Sequence, residues 1–111
     1  MNIDTTDIFK KSFRKLLKKD IKLIDEYEQL LKDLEKEPTL GTELGNGRYK
    51  IRLKNSSNNK GKSAGYRVVT YTKIENTIIL VYIYSKSKEE SVSSHKINEF
   101  ISSYKMNKSL I

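Results

Sequence analysis

YKIRLKNSSNNKGKSAGYR, residues 49–67, is the stretch that settles the fold of this chain, and it holds Lys50, Arg52, Lys54, Lys60, Lys62 and Arg67 with no acidic residue. Its first part alternates strictly. In an extended strand successive side chains point to opposite sides, so Tyr49, Ile51 and Leu53 share one face, and Arg48, Lys50, Arg52 and Lys54 share the other. One face is core and the other is a row of cations. Residues 55–63 are too rich in Asn, Ser, Gly and Lys to pack and read as a loop. A second strand begins straight after Gly65 and sets Arg67, Val69 and Tyr71 on one side.

Working outward, TIILVYIY (residues 77–84) is apolar on both faces, as expected of a strand covered on both sides. Glu75 and Asn76 form the short turn that makes an antiparallel hairpin of these two strands. Upstream, Phe9, Phe13, Leu16 and Leu17, then Ile24, Tyr27, Leu30, Leu31 and Leu34, recur at helical spacing. They predict two amphipathic helices that break near residues 19–22, the second ending before Pro38. Their charged outer faces read as solvated, with lysines matched by acids. LGTELGNG (residues 40–47) reads as a turn-rich connection, and residues 2–5 as a weakly signalled short strand. Downstream, Val92, Ser93 and Ile97 fit a hydrophobic staple around a serine cap, and Ile97, Phe100, Ile101 and Tyr104 give a last helix. The sum is one α+β domain spanning residues 1–111, with no internal repeat.

Charge then limits the function. The chain has 111 residues, a net charge of +8, one histidine and no cysteine. Residues 46–73 contain Arg48, Lys50, Arg52, Lys54, Lys60, Lys62, Arg67 and Lys73 and no acid, while the rest of the chain is charge-balanced. An excess gathered in one quarter of a sequence is the footprint of a polyanion partner, and nucleic acid leads that class. The lack of cysteine excludes disulfides and thiolate chemistry, and no cofactor or metal is expected from one histidine without clustered ligands. No apolar run is long enough for a signal peptide or a membrane span, so a soluble cytoplasmic protein is expected. His95 falls in the first turn of the last helix and reads as a surface residue. Tyr66, Tyr71, Tyr82 and Tyr84 read as strand core, with base stacking as the alternative.

Two helices, then YKIRL, a glycine-containing basic loop, GYRVV, an apolar strand ending IYSK and a final helix: this order resembles the RelE/ParE superfamily of bacterial type II toxins. The form GKSAGYRVV after YKIRL is most similar to the HigB branch of RelE-type toxins. The resemblance implies a compact twisted antiparallel sheet packed against an N-terminal helical hairpin, with a C-terminal helix. It implies a ribosome-dependent messenger-RNA endoribonuclease that inhibits translation without a metal, and a cognate antitoxin as partner beside ribosome and mRNA. By position it assigns cleavage to Lys50, Arg52, Arg67 and Lys86, and adds Lys62 as an RNA contact; Arg48, Lys54, Lys60 and Lys73 are expected as further RNA contacts from the acid-free basic run itself. Some relatives carry an arginine and a tyrosine beyond the last strand. SKSKEESVS (residues 85–93) contains neither, which leaves the proton donor open.

The same residues support this chemistry by their nature. Attack of a 2′-hydroxyl on the neighbouring phosphate needs a base, a donor for the leaving oxygen and positive charge for the phosphorane. Crowded cations lower a lysine pKa toward the range of a base, which makes Lys50 a candidate base or a second clamp, while Arg52 and Arg67 stay charged and hold phosphate oxygens. A ParE-like inhibitor of DNA gyrase and a non-catalytic nucleic-acid-binding module are the alternative readings.

Overall fold

Thr6 decides where the first helix begins. Its Oγ1 accepts the Phe9 N–H at 3.0 Å while its hydroxyl donates to the Val81 carbonyl at 2.7 Å, so one buried side chain caps the helix and ties it to the sheet. The computed structural model describes residues 1–55 and 65–109. In chain order it contains β1 (Asn2–Thr5), α1 (Asp7–Lys19), α2 (Leu23–Lys36), β2 (Thr42–Gly45), β3 (Arg48–Leu53), β4 (Tyr66–Ile74), β5 (Thr77–Ser85) and α3 (Ser94–Ser109). The helix break at residues 20–22 and the stop before Pro38 fall where expected. Ser93 caps α3 as its sequence suggests, its Oγ accepting the Lys96 N–H at 3.2 Å.

The five strands form one sheet in the order β1-β5-β4-β3-β2. Strands β2 to β5 are antiparallel neighbours, but β1 runs parallel to β5, so the sheet is mixed and not wholly antiparallel. Parallel pairing demands a crossover; here the whole α1–β4 segment separates the two strands in sequence. Residues 40–47 also hold more than turns: β2 forms a hairpin with β3 through Asn46 and Gly47. Both turn residues have positive φ, 53° and 77°, the backbone that favours an Asn-Gly pair in a two-residue hairpin loop.

The two sheet faces bury different cores. Phe9, Leu23, Leu30 and Leu34 of the helices pack on Ile51, Leu53, Val68, Ile78, Leu80 and Ile83. On the other face α3 lays Ile97 and Ile101 on Val69, Ile79, Val81 and Tyr84. Each such side chain, when fully buried, contributes roughly 1.5–3 kcal/mol. A bulge in β5 makes this division possible. Val69 pairs with Tyr82 and Thr70 with Leu80, leaving Val81 as the extra residue. Strict alternation would send Tyr84 toward the helical hairpin; the extra residue turns it to the α3 face and returns Ile83 to the hairpin core.

The charge balance of the helices is not local. On α1, Lys10, Lys11, Arg14, Lys15, Lys18 and Lys19 are all exposed, with Asp7 the sole acid, whereas α2 carries Asp25, Glu26, Glu28, Asp33 and Glu35. Most of the cations find a matching acid only when the two helices are added together, eight cations against six acids.

Candidate functional site

The β3–β4 ladder places Arg52 directly opposite Arg67, and the β4–β5 ladder places Arg67 opposite Tyr84. Facing residues on neighbouring strands share a sheet face with Cβ atoms about 5 Å apart, so these three form one row across three strands. The adjoining row is Lys50, Val69 and Tyr82. Both lie on the α3 side of the sheet. Sequence alternation puts Lys50 and Arg52 on one strand face; the register brings Arg67, distant from Arg52 in sequence, opposite it on that face.

Exposure divides the labour along this row. Arg52 is exposed and Lys50 half-buried, whereas Arg67 is 5% exposed, with Nη1 donating to the Tyr66 carbonyl at 3.2 Å. A guanidinium fixed in this way presents its charge in a set direction with little freedom left to lose. Gly65 makes the approach possible. Its backbone lies so close to Leu53 that a Cβ there would run into the Leu53 carbonyl. The Gly65 carbonyl in turn accepts the Lys86 N–H at 2.9 Å, extending the ladder one step past β5. Lys86 Nζ donates to the Glu90 carbonyl at 3.0 Å, so this cation stands at the end of the sheet near the row and not in it.

The phenols beside the cations are held in their neutral form. Burial raises the Tyr84 pKa; the Arg67 charge opposes that shift and Glu89 adds to it. Tyr82 is pushed up to about 12, first by burial and then by donating to Glu89 Oε1, at 2.8 Å. The rings of Tyr82 and Tyr84 stack with centroids 5.8 Å apart. At neutral pH both phenols carry their protons. The sequence places these tyrosines in core strands; that Glu89 stands beside them depends on the bulge, which turns both to one side. The run KSKEE after β5 is the one local signal for Glu89.

A cleft of about 510 Å³ opens beside the bulged half of β5, lined by Lys15, Lys19, Tyr82, Tyr84, Lys88 and Glu89 among others. Two of its lysines face one another: Lys88 beside Lys19 lowers the Lys19 pKa. No strand among the described residues pairs with β5 on this side beyond Leu80.

The remaining sequence candidates are dispersed. Arg48 is buried beneath α3, with Nε donating to the Gly45 carbonyl at 3.1 Å and Nη1 to Asn98 Oδ1 at 2.8 Å; its guanidinium anchors the helix. Lys54 is exposed just past β3, and Lys73 is exposed at the far end of β4, close to Gly47. Lys60 and Lys62 lie outside the described residues. His95 is on the surface, 2.7 Å from Glu99. Among the described residues no helix is long and apolar enough to cross a membrane.

A family model for RelE, described as the toxin of the RelE/RelB toxin-antitoxin system, matches residues 1–110. No curated protein matches the chain.

Proposed function

The chain belongs to the RelE toxin family, and on that premise we propose that it cuts messenger RNA on the ribosome with the cations of the β3–β4 face. Membership makes it the toxin of a toxin-antitoxin system and implies an antitoxin partner. The nuclease reading rests above all on one observation, the Arg52–Arg67 register. Two guanidiniums opposed across a ladder repel one another, and a phosphate seated between them would turn that repulsion into attraction.

The step assigned to this face is transesterification. The 2′-oxygen attacks the adjacent phosphorus as its proton leaves to a base, the bond to the 5′-oxygen breaks, and a proton reaches that oxygen. The products are a 2′,3′-cyclic phosphate and a 5′-hydroxyl. Arg52 and Arg67 hold the non-bridging oxygens, where charge grows in the phosphorane. Lys50, one step along β3 on the same face, takes the 2′ proton or acts as a further clamp, and Lys86 adds charge from the end of β5. Cleavage occurs in the cytoplasm and needs no metal.

Primer extension on mRNA in a purified translation system tests this reading, comparing wild type with Arg67→Ala in the presence and absence of ribosomes. Cuts that require both ribosomes and Arg67 are expected. Undiminished cutting by a folded Arg67→Ala protein would remove the row from the mechanism. Absence of any cut by wild type, with translation unaffected, would turn the reading toward gyrase inhibition or simple binding.

A further inference from the structure

Apart from Lys15 and Lys19, which line the cleft beside Tyr84, the outer face of α1 has no role in the site just described. At 100° per residue, Lys10, Arg14, Lys18, Lys11, Lys15 and Lys19 fan over one half of the helix, and Lys22 continues the arc in the turn that follows. The other half is spent on the core: Phe9 is buried, and Phe13, Leu16 and Leu17 pack against it. All six cations of the helix are exposed, and among the described residues the ion pairs are His95 with Glu99 and Lys108 with Asp4, so none neutralises α1. The spacing makes matters worse for the isolated protein. Lys10 and Arg14, Lys11 and Lys15, Arg14 and Lys18, Lys15 and Lys19 are all like charges at i,i+4, which destabilise a helix. Lys10 and Lys11 also lie toward the N-terminal half, where the helix dipole disfavours cations. Lys88, facing Lys19 across the cleft, carries the ridge onto the end of the sheet.

A solvated helix face has no need of such an arrangement, and the neighbouring α2 shows the contrast, with acids and Lys32 and Lys36 interspersed. From Lys10 to Lys19 the ridge runs about 14 Å at 1.5 Å per residue, long enough to meet several successive phosphates. It belongs to the helical layer, on the opposite side of the sheet from Arg52 and Arg67, and approaches their row only where Lys15 and Lys19 line the cleft beside Tyr84. Lys10, Lys11, Arg14 and Lys18 lie outside that cleft, so a strand held between Arg52 and Arg67 does not account for them.

We infer that the outer face of α1 is a second RNA-contact surface, which takes the phosphate backbone of a structured RNA while the β3–β4 row acts on a different strand. This rests on the nuclease reading for the second half of that statement alone. The contact is to backbone, since lysines and one arginine on a convex helix offer point charges and little planar recognition of bases. Its signature is therefore sequence-independent binding with a steep dependence on salt.

The test replaces Lys10, Lys11, Arg14 and Lys18 with glutamine together, all on α1 and none of them lining the cleft beside the cleavage row. The probes are a fluorescein-labelled 20-base-pair RNA duplex of arbitrary sequence and intact ribosomes, titrated by anisotropy and by co-sedimentation between 50 and 300 mM KCl. Thermal melting checks the fold, which loses repulsion and is expected to melt no lower than wild type. The slope of log K against log salt is expected to flatten by about 3, with binding to both probes on the order of 100-fold weaker near physiological salt. Arg67→Ala is expected to keep most of the duplex affinity and lose the cuts. Equal slopes for wild type and the quadruple variant overturn the inference. So does a variant that keeps its RNA affinity but loses its antitoxin, since the ridge would then be the site of an acidic protein. If wild type cuts nothing yet loses duplex binding with the four substitutions, the nuclease reading fails and the ridge stands.

Discussion

Replacing Arg52 with threonine separates the catalytic and structural consequences of the cation row. Arg52 faces Arg67 in register, and like charges directly opposite on antiparallel strands cost roughly 0.2–1 kcal/mol. Arg67 is bonded to the Tyr66 carbonyl and 5% exposed, so Arg52, which is exposed, is the member of the pair with room to move. Threonine removes the charge and suits an exposed strand position better than a long cation does. For a domain of this size 1 kcal/mol moves the melting temperature by about 4 °C. Arg52→Thr is thus expected to melt about 1–4 °C above wild type at low salt, the gain fading as added salt screens the pair. Its cleavage in the purified translation system is expected to fall by about 10²–10³-fold, the usual loss when one electrostatic contact to a developing oxyanion is removed. A variant that is both more stable and nearly inactive is the mark of a residue retained for function against stability. Cutting within about threefold of wild type, or a melting temperature several degrees lower, would refute the argument from the register.

Three further outcomes follow from the packing. Tyr66→Phe deletes the hydroxyl that donates to buried Asp20 at 2.8 Å, and a loss of about 1.5–3 kcal/mol in urea unfolding is expected; a change below about 0.5 kcal/mol would show that Asp20 gains little from the bond. Gly65→Ala brings a Cβ against the Leu53 carbonyl, so it is expected to part β3 from β4 at the cation row, with amide exchange rising at residues 51–53 and cleavage lost together. Asp4 sets the pH response of α3. Burial alone would raise its pKa, but hydrogen bonds from Tyr104 and the Thr5 N–H, with Lys108 close by, hold it below the usual 3.8. A depressed carboxylate stabilises the fold above its unfolded pKa and loses that contribution as pH falls through the folded value. The wild-type melting temperature is accordingly expected to approach that of Asp4→Asn as pH drops below 3.8, and parallel curves would assign α3 docking to other contacts.

The strands that carry the row were legible because alternation in residues 48–54 is a backbone rule with no tertiary input. The caps at Ser93 and the stop before Pro38 were legible for the same reason. Three features were not. Strand β2 hid in a segment dense with turn residues, although Asn46-Gly47 is itself a hairpin signal; its neighbours Thr42, Glu43 and Leu44 are exposed, so no hydrophobic alternation announced them. The direction of β1 depends on which edge of the sheet is free once the rest has folded. The bulge at Val81 is invisible in TIILVYIY because apolar residues on both faces carry no period to break. Arg48 shows the limit on the side of function: its place in the alternating row is the same as that of Arg52, and only the position of α3 makes one an anchor and leaves the other in solvent.

That difference explains why the row sits at one end of the sheet. Helix α3 must cover Val69, Ile79 and Val81 to close the second core, and it is held down by Arg48 through Asn98 and by Asp4 through Tyr104, at 2.6 Å. Both anchors lie toward the Arg48–Tyr71 end of the ladder and the β1 edge. Arg52 and Arg67 occupy the opposite end of β3 and the start of β4. Shifting α3 one turn along its axis, about 5.4 Å, would take its apolar residues off the core they now cover. The second core therefore limits how far the helix can extend over the cations, while the bulge supplies Tyr84 to their side. A fold with a flat β5 and a longer α3 would bury more apolar surface, and it would lose the exposed charge at Arg52 on which the proposed chemistry depends.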